Sequence, residues 1–235
     1  VEILADEPHA FPSTDPGPIQ EVLKGFPVSN LNGNTYKGTF VPSLIDPDPN
    51  TRRMRVDYTK GVIDLAQAVG SQNMCLSSGR LPEGISQERA RGYFVESLAQ
   101  ILAHAEKKTI RVGIEYEPGF FIGERNALSS ILEEMNHPLL GVNLDIGHAV
   151  CVGEKPEDAV ERFAGKIWNI HIEDIEGQVH RHLIPGQGSI RFDVLRRALD
   201  RCRYDGFLTL EIYPYQDRPS EAGRESLAAL REWFR

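Results

Sequence analysis

The feature that most limits the fold of this chain is a recurring unit, in which a short β-rich run is followed by a polar turn and an amphipathic stretch. Such alternation predicts βα units and a parallel sheet. We expect strands at residues 1–5, 27–31, 73–77, 110–115, 140–145, 167–172 and 207–212. Helices are predicted between and after them, at residues 51–69, 86–107, 126–135, 156–163, 192–202 and 220–234.

Two architectures contain such units: an open doubly wound sheet and a closed (β/α)8 barrel. A length of 235 residues suits one barrel domain. An open sheet would normally carry a Gly-rich phosphate turn after an early strand, and the opening VEILADEPHAFP has none. We therefore predict the α/β class, a single domain over residues 1–235, and a TIM barrel whose first strand lies outside this chain.

Composition narrows the range of partners. The chain has 26 Lys and Arg against 34 Asp and Glu, and its net charge of −8 disfavours a nucleic-acid partner, because phosphate binding needs a basic face. Since no apolar run reaches the roughly 18 residues of a membrane span, we expect no membrane partner. Cys75, Cys151 and Cys202 form no CxxC pair, and we expect no leader before the first strand. We expect a cytoplasmic protein.

Carboxylate or imidazole side chains end four successive predicted strands: Glu115, Asp145, His171 and Glu211. Alternate residues of a strand share a side, and active sites of parallel barrels form at the strand carboxyl ends, so we expect these four to converge. Three carboxylates in one apolar-walled space repel one another, and a divalent cation relieves that repulsion. Three oxygens and one imidazole nitrogen suit one Mn²⁺, Zn²⁺, Co²⁺ or Mg²⁺ ion.

The second half of the chain also carries a series of motifs whose order resembles that of the xylose isomerase-like TIM-barrel superfamily. This superfamily holds sugar isomerases and epimerases, inosose dehydratase and endonuclease IV. The matching pieces are Glu115 in GIEYEP, Asp145-x-x-His148, His171-x-x-Asp174, PGQGSIRF at 185–192 and YDGFLTLEIY at 204–213. The resemblance implies that Glu115, Asp145, His171 and Glu211 are metal ligands, and that residues 1–5 form the second strand.

The resemblance also implies that Glu115 and Glu211 form the acid/base pair, on opposite faces of the substrate. A metal that binds a carbonyl and its neighbouring hydroxyl stabilises an enediolate, so that one Glu can remove the adjacent proton. Return of that proton to the next carbon isomerises the substrate. Its return by the other Glu to the opposite face epimerises it.

Four further residues are predicted to bind the substrate: His148, His182, Asn32 and Glu117. Relatives in the superfamily use a His at the place of His148 either on the substrate or on a second metal, and both roles stay open here. In endonuclease IV an acidic residue and a His stand at the places of His180 and His182 and bind another zinc. We expect His182 to contact the substrate. His180 is equally compatible with a role in the site and with packing in its loop.

We therefore expect a metal-dependent sugar isomerase or epimerase of carbohydrate metabolism, acting through an enediolate on a small ketose, polyol or keto acid. One alternative is a lyase of the inosose or dehydroshikimate dehydratase type. Another is an endonuclease IV-like phosphodiesterase, but that enzyme needs His at strand ends where this chain has Asn32, Asn34, Ser77 and Ser78. Whether the protein is a homo-oligomer is left open.

Overall fold

A computed structural model of the chain describes residues 1–8 and 10–234. These residues form two compact units, Val1–Val142 and Asn143–Arg235. The boundary between the units falls inside one strand, Leu140–Asp145. Strands and helices alternate along both units, as the sequence pattern predicts for the α/β class.

The described part of the first unit contains four strands, the beginning of a fifth, and four helices. They are β1 (Glu2–Leu4), α1 (Pro16–Leu23), β2 (Asn30–Asn32), α2 (Pro49–Val69), β3 (Asn73–Leu76), α3 (Gln87–Lys108), β4 (Arg111–Ile114), α4 (Arg125–Met135) and β5 (Leu140–Asp145). Each strand pairs in parallel with the next, from β1 to β5. Their carboxyl ends therefore lie at one edge of the sheet.

Helix α2 shows why these segments fold locally as they do. The carboxylate of Asp48 accepts a hydrogen bond from the backbone N–H of Asn50, and Pro49 takes the first helical position. Gly70 ends the helix with φ at 80°, a left-handed conformation that glycine adopts at little cost. The fully buried Val62 and Ile63 pack this helix into the core, and each contributes about 1.5–3 kcal/mol through burial.

The second unit holds the end of β5 and the elements that follow it in the described chain. These are α5 (Ile146–Cys151), α6 (Pro156–Arg162), β6 (Ile167–Ile172), α7 (Phe192–Cys202), β7 (Leu208–Leu210), a short 3₁₀ helix (Tyr213–Tyr215) and α8 (Pro219–Trp233). Strands β6 and β7 pair in parallel, with His171 opposite Thr209. Nowhere in residues 1–8 and 10–234 is a helix both long and apolar enough to cross a bilayer.

The structure corrects the sequence prediction in four places. The strand expected at 27–31 forms at Asn30–Asn32, and the strand expected at 207–212 is limited to Leu208–Leu210, so that Glu211 follows it. Helix α1 was not predicted, because it has only 8 residues and buries none of them, so that its sequence carries no apolar stripe. Helix α5 was not predicted either, because it begins directly at the end of β5 with no polar turn between them.

Candidate metal centre and active site

Three of the predicted ligands, Asp145, His171 and Glu211, lie together in the second unit. The Nδ1 atom of His171 is 3.0 Å from Glu211 Oε2 and 4.0 Å from Asp145 Oδ2. The side chains of His171 and Asp145 are fully buried, while that of Glu211 keeps 28% of its surface exposed. These residues stand at or beside the carboxyl ends of β5, β6 and β7. Active sites of parallel barrels form at this end of the strands.

A chain of polar side chains lies behind His171, deeper in the sheet. The hydroxyl of Thr209 donates to Asn169 Oδ1 at 2.8 Å, and the amide of Asn169 donates to Asn143 Oδ1 at 2.9 Å. The Asn143 amide nitrogen lies 3.2 Å from His171 Nδ1. Because buried polar groups are costly without partners, this chain holds the imidazole ring in place. The sequence analysis missed these three residues.

Asp145 has two structural roles at once. Its Oδ1 atom accepts the backbone N–H of His148 at 2.7 Å and so caps helix α5, while its Oδ2 lies 3.5 Å from His148 Nε2. Burial by itself raises the pKa of Asp145. The charges of the His148, His182 and His171 imidazoles, together with the adjacent Glu173 carboxyl, outweigh burial and bring that pKa below its usual value.

Glu173 is a buried carboxyl group that the sequence analysis left out of the site. It lies two residues after His171, and its Oε1 atom accepts the backbone N–H of Gly147 at 2.7 Å. A Cβ atom at position 147 would collide with that oxygen, so only glycine fits there. Burial, followed by the neighbouring Asp145 charge, raises the pKa of Glu173 well above its usual value.

Three imidazoles meet beside this group. The Nε2 atom of His180 lies 3.1 Å from that of His148 and 2.9 Å from that of His182. The rings of His148 and His182 are buried, and His180 is exposed. The Nδ1 atom of His182 also lies 3.1 Å from the backbone oxygen of Glu211. The structure therefore places the two predicted substrate-binding imidazoles next to two of the predicted ligands.

The loop after β6, which carries His180 and His182, is tied down by Asp174. The carboxylate of this fully buried residue accepts four backbone N–H groups, from Ile175, Gly186, Gly188 and Ile190, at 2.8–3.0 Å. Hydrogen bonds to a charged acceptor are stronger than those between neutral groups. The segment from 183 to 190 is thus wrapped around one carboxylate.

The remaining predicted site residues lie in the first unit. Glu115 follows β4 directly and is 2% exposed, and its Oε2 atom accepts the side-chain amide of Asn34. Glu117 lies in the loop after β4, where its backbone N–H donates to Ile122 O. The amide of Asn32 donates to Glu2 Oε1 at 3.1 Å, and its oxygen accepts the backbone N–H of Asn34. Substrate contact by Glu117 and Asn32 stays a prediction.

The donor set in the second unit fits a divalent ion. One ligand atom from each of Asp145, His171 and Glu211 lies within 4.8 Å of the others, and Asp145 Oδ2 accepts no hydrogen bond from an N–H or hydroxyl group of the described residues. A sequence profile of the xylose isomerase-like TIM barrel matches residues 1–233, through both units. The chain belongs to this family. Its membership confirms the fold class that the sequence predicts.

Proteins similar in sequence to this chain include an isomerase, epimerases and dehydratases. An uncharacterized protein of Methanocaldococcus jannaschii is 29% identical over 192 residues, which cover 77% of this chain and 65% of that protein. The fructoselysine 3-epimerase of Shigella flexneri is 23% identical over 98% of this chain and 87% of its own length. The inosose dehydratase of Clostridium beijerinckii is 23% identical over 46% of this chain and 42% of its own.

Solved structures show the same fold. A D-tagatose 3-epimerase-like protein superposes with a TM-score of 0.83 at 23% identity, over 98% of this chain and 89% of its own. The IolI protein, whose crystal structure holds a zinc atom, gives a TM-score of 0.80 at 17% identity, over 99% of this chain and 89% of its own. At these identities the likeness establishes the fold alone.

Proposed function

We propose that this protein is a divalent-metal-dependent isomerase or epimerase that acts on a small ketose, polyol or keto acid. The observation that carries the proposal is the grouping of Asp145, His171 and Glu211 in the second unit, at the carboxyl ends of neighbouring strands. Isomerases and epimerases among the relatives of this family support the reaction class.

Asp145, His171 and Glu211 would hold the ion, and the sequence prediction adds Glu115 as a fourth ligand. Glu115 directly follows its strand, as Glu211 does, and is 2% exposed. When bound, a divalent ion would polarise the substrate carbonyl and lower the energy of the enediolate. Mn²⁺, Zn²⁺, Co²⁺ and Mg²⁺ all suit three carboxylates and one imidazole.

The chain's own residues have separate tasks in this proposal. Glu211 accepts or returns the proton beside the carbonyl, because its carboxylate is still partly exposed and can reach a substrate. Glu115 is the second acid/base group. His148 and His182, whose rings lie beside Asp145 and Glu211, donate hydrogen bonds to substrate oxygens.

A solvent-exchange screen tests the proposal. Elemental analysis identifies the metal, and proton NMR in D₂O then follows deuterium incorporation into a panel of ketoses, inososes and keto acids. We expect metal-dependent exchange at the carbon beside the carbonyl of at least one class, and its loss in Glu211→Gln. If metal-loaded protein exchanges no proton in any member of the panel, the proposed reaction is wrong. A matched Gln substitution of the exposed Glu232 should leave the exchange rate unchanged.

A dehydratase would begin with the same proton removal and then expel a neighbouring hydroxyl. The inosose dehydratase relative supports this alternative. The two outcomes differ in their products, since a dehydratase forms a conjugated enone that absorbs in the ultraviolet. An isomerase or epimerase forms no such product. Absorbance recorded during the NMR screen therefore separates the two reactions.

The three imidazoles favour a second candidate function, a metal-dependent phosphodiesterase. His148, His180 and His182 could together bind one zinc ion. Catalytic zinc sites have three protein ligands and keep the fourth position open for water or substrate. Against this candidate, Asn32 and Asn34 stand where such an enzyme needs imidazoles. Hydrolysis of a duplex DNA containing an abasic site, in the presence of Zn²⁺, tests this function directly.

A further inference from the structure

Arg80 carries a guanidinium group that the folded chain leaves available. The residue lies four positions beyond Leu76, the last residue of β3, and it is exposed. Within residues 1–8 and 10–234 its guanidinium forms no hydrogen bond and no ion pair. By contrast, Arg91 in the same unit is paired with the carboxylate of Glu134. The five N–H donors of Arg80 are therefore available to a ligand.

Aromatic and glycine contacts hold this guanidinium in place. Its Cζ atom lies 5.2 Å from the ring centroid of Phe120, within the range of a cation–π contact. Gly119 adopts a φ of +81°, and a Cβ atom at that position would come within 3.2 Å of Arg80 Nη1. The ring of Phe120 is buried and meets Phe40 edge-on, with centroids 4.8 Å apart. A buried ring thus fixes one face of the guanidinium, which lowers the entropy that a ligand contact would cost.

Two hydrogen bonds join the loop after β3 to the loop after β4. The backbone N–H of Phe121 donates to Gly79 O at 2.9 Å. The backbone N–H of Ile122 donates to the hydroxyl oxygen of the buried Ser78, also at 2.9 Å. Since these partners directly precede Arg80 and directly follow the ring beneath it, the two loops hold the guanidinium and its aromatic support together.

The loop of Arg80 adjoins the strand end that carries Glu115. Strands β3 and β4 pair with Leu76 opposite Ile114, and Glu115 is the next residue after this pair. The backbone N–H of Glu115 donates to Leu76 O at 2.9 Å. Arg80 therefore belongs to the loops at the carboxyl ends of the strands, where parallel barrels bind their substrates. A substrate that Glu115 deprotonates must lie beside these loops.

We propose that Arg80 selects an anionic substrate by binding its carboxylate or phosphate group. The proposal rests on the proposed function and narrows its substrate class to keto acids and sugar phosphates. The planar guanidinium matches the oxygen spacing of both groups and can bind either one through two parallel hydrogen bonds. A neutral ketose or polyol offers this side chain no charge with which to pair.

Matched substrates separate the two anions from each other and from a neutral sugar. Each ketose of the exchange screen is compared with its terminal phosphate ester and with the 2-keto acid of the same carbon chain. D-fructose, D-fructose 6-phosphate and 2-keto-D-gluconate form one such set. Wild-type protein is measured beside Arg80→Gln and Arg224→Gln, and circular dichroism verifies that each variant is folded. Arg224→Gln is the control, because it removes an exposed arginine of α8 in the same way.

We expect kcat/KM for proton exchange to be at least about 10-fold higher for one anionic member of a set than for its neutral partner. Arg80→Gln should lower that value about 10–100-fold, mainly by raising KM, because hydrogen bonds to charged groups are the strong ones. The neutral partner should be unaffected, as should every substrate of Arg224→Gln. The proposal is overturned if neutral ketoses are the better substrates. It is also overturned if Arg80→Gln leaves the anionic substrate unchanged or lowers both members equally.

Chemical modification of Arg80 tests anion binding without turnover. Phenylglyoxal labels exposed guanidinium groups, and mass spectrometry of the digested protein measures the label on Arg80 and on Arg224. The keto acid or the phosphate ester should protect Arg80, the neutral ketose should not, and Arg224 should be labelled equally in every case. Exchange of neutral substrates without protection of Arg80 by any anion retains the proposed function and refutes the anion site. Protection by an anion without any proton exchange does the reverse, and failure of both measurements refutes both.

Discussion

The side-chain amide of Asn34 donates a hydrogen bond to the carboxylate of Glu115, at 2.5 Å between Nδ2 and Oε2. The backbone at this point is held by Arg55, whose buried guanidinium donates to the carbonyl oxygens of Gly33 and Asn34 at 2.6 and 2.7 Å. A carboxylate can only accept, so the amide orientation at Asn34 follows from Glu115. Asn34 thereby orients a residue that the proposed reaction needs.

Asn34→Asp should therefore reduce activity without unfolding the protein. The new carboxylate would face Glu115 and repel it, so we expect metal affinity and kcat to fall about 10–100-fold. Calorimetric metal titration and the exchange rate of the best substrate measure both effects. The same change at the exposed Asn126 is the control. Equal values for Asn34→Asp and wild type would show that Glu115 needs no orienting partner.

Glu211 and Asp145 should respond differently to loss of charge. Glu211→Gln keeps an oxygen that can bind metal but removes the base, so we expect turnover to fall about 10²–10⁴-fold. Its metal content should fall less steeply. Asp145→Asn should weaken metal binding first, and added metal should restore part of its rate. Turnover and bound metal measured over a range of metal concentrations distinguish the two. Near-wild-type turnover by metal-saturated Glu211→Gln would exclude Glu211 as the base.

Asp174→Ala should destabilise the protein by about 3 kcal/mol, because four backbone N–H groups lose a charged acceptor. The loop that carries His182 would lose its anchor, so metal affinity should fall as well. Urea unfolding and metal titration measure the two effects. Asp217→Ala, at an exposed position, is the matched control. Unchanged stability of Asp174→Ala would mean that the loop is held by its other contacts.

Asp6 should make the stability of the protein depend on acid pH. Burial raises the pKa of Asp6, but hydrogen bonds from Thr35, Gly38, Glu7 and Lys37 outweigh it and leave the pKa below its ordinary value of 3.8. A lowered pKa in the folded state contributes stability above the unfolded value, and that stability is lost as the pH falls through the folded value.

Asp6→Asn should accordingly be less stable than wild type at about pH 6, and the difference should shrink below about pH 4. Unfolding free energies of the two proteins over this pH range provide the test. A difference that does not change with pH would indicate that Asp6 acts through packing and not through its charge.

Much of the arrangement in the second unit could be predicted from residue types at strand ends. Asp145, His171 and Glu211 are polar residues at the ends of apolar runs, and the two-residue period of a strand predicts which side they occupy. Glu173 satisfies the same period, two residues after His171, yet the sequence contains no sign that it lies opposite Asp145. That proximity depends on strand register and on the glycine at 147.

Other parts could not be predicted for reasons of local chemistry. Asn143 and Asn169 have low strand propensity, and their role becomes visible only once they form a hydrogen-bonded chain to His171. Helix α5 begins at the cap that Asp145 supplies. Because the sequence analysis considered Asp145 only as a metal ligand, it did not predict this helix. His180 lies exposed in a polar loop, and its approach to His148 requires the backbone wrapped around Asp174.

The shared use of Asp145, as a helix cap through Oδ1 and as a candidate ligand through Oδ2, limits how this protein can be redesigned. A substitution intended to change the preferred metal at this position also alters the start of helix α5, and with it the position of His148. A library that varies residue 145 alone therefore samples two changes at once. Selection for a new metal would have to vary 145 together with 148, and to leave the glycine between them untouched.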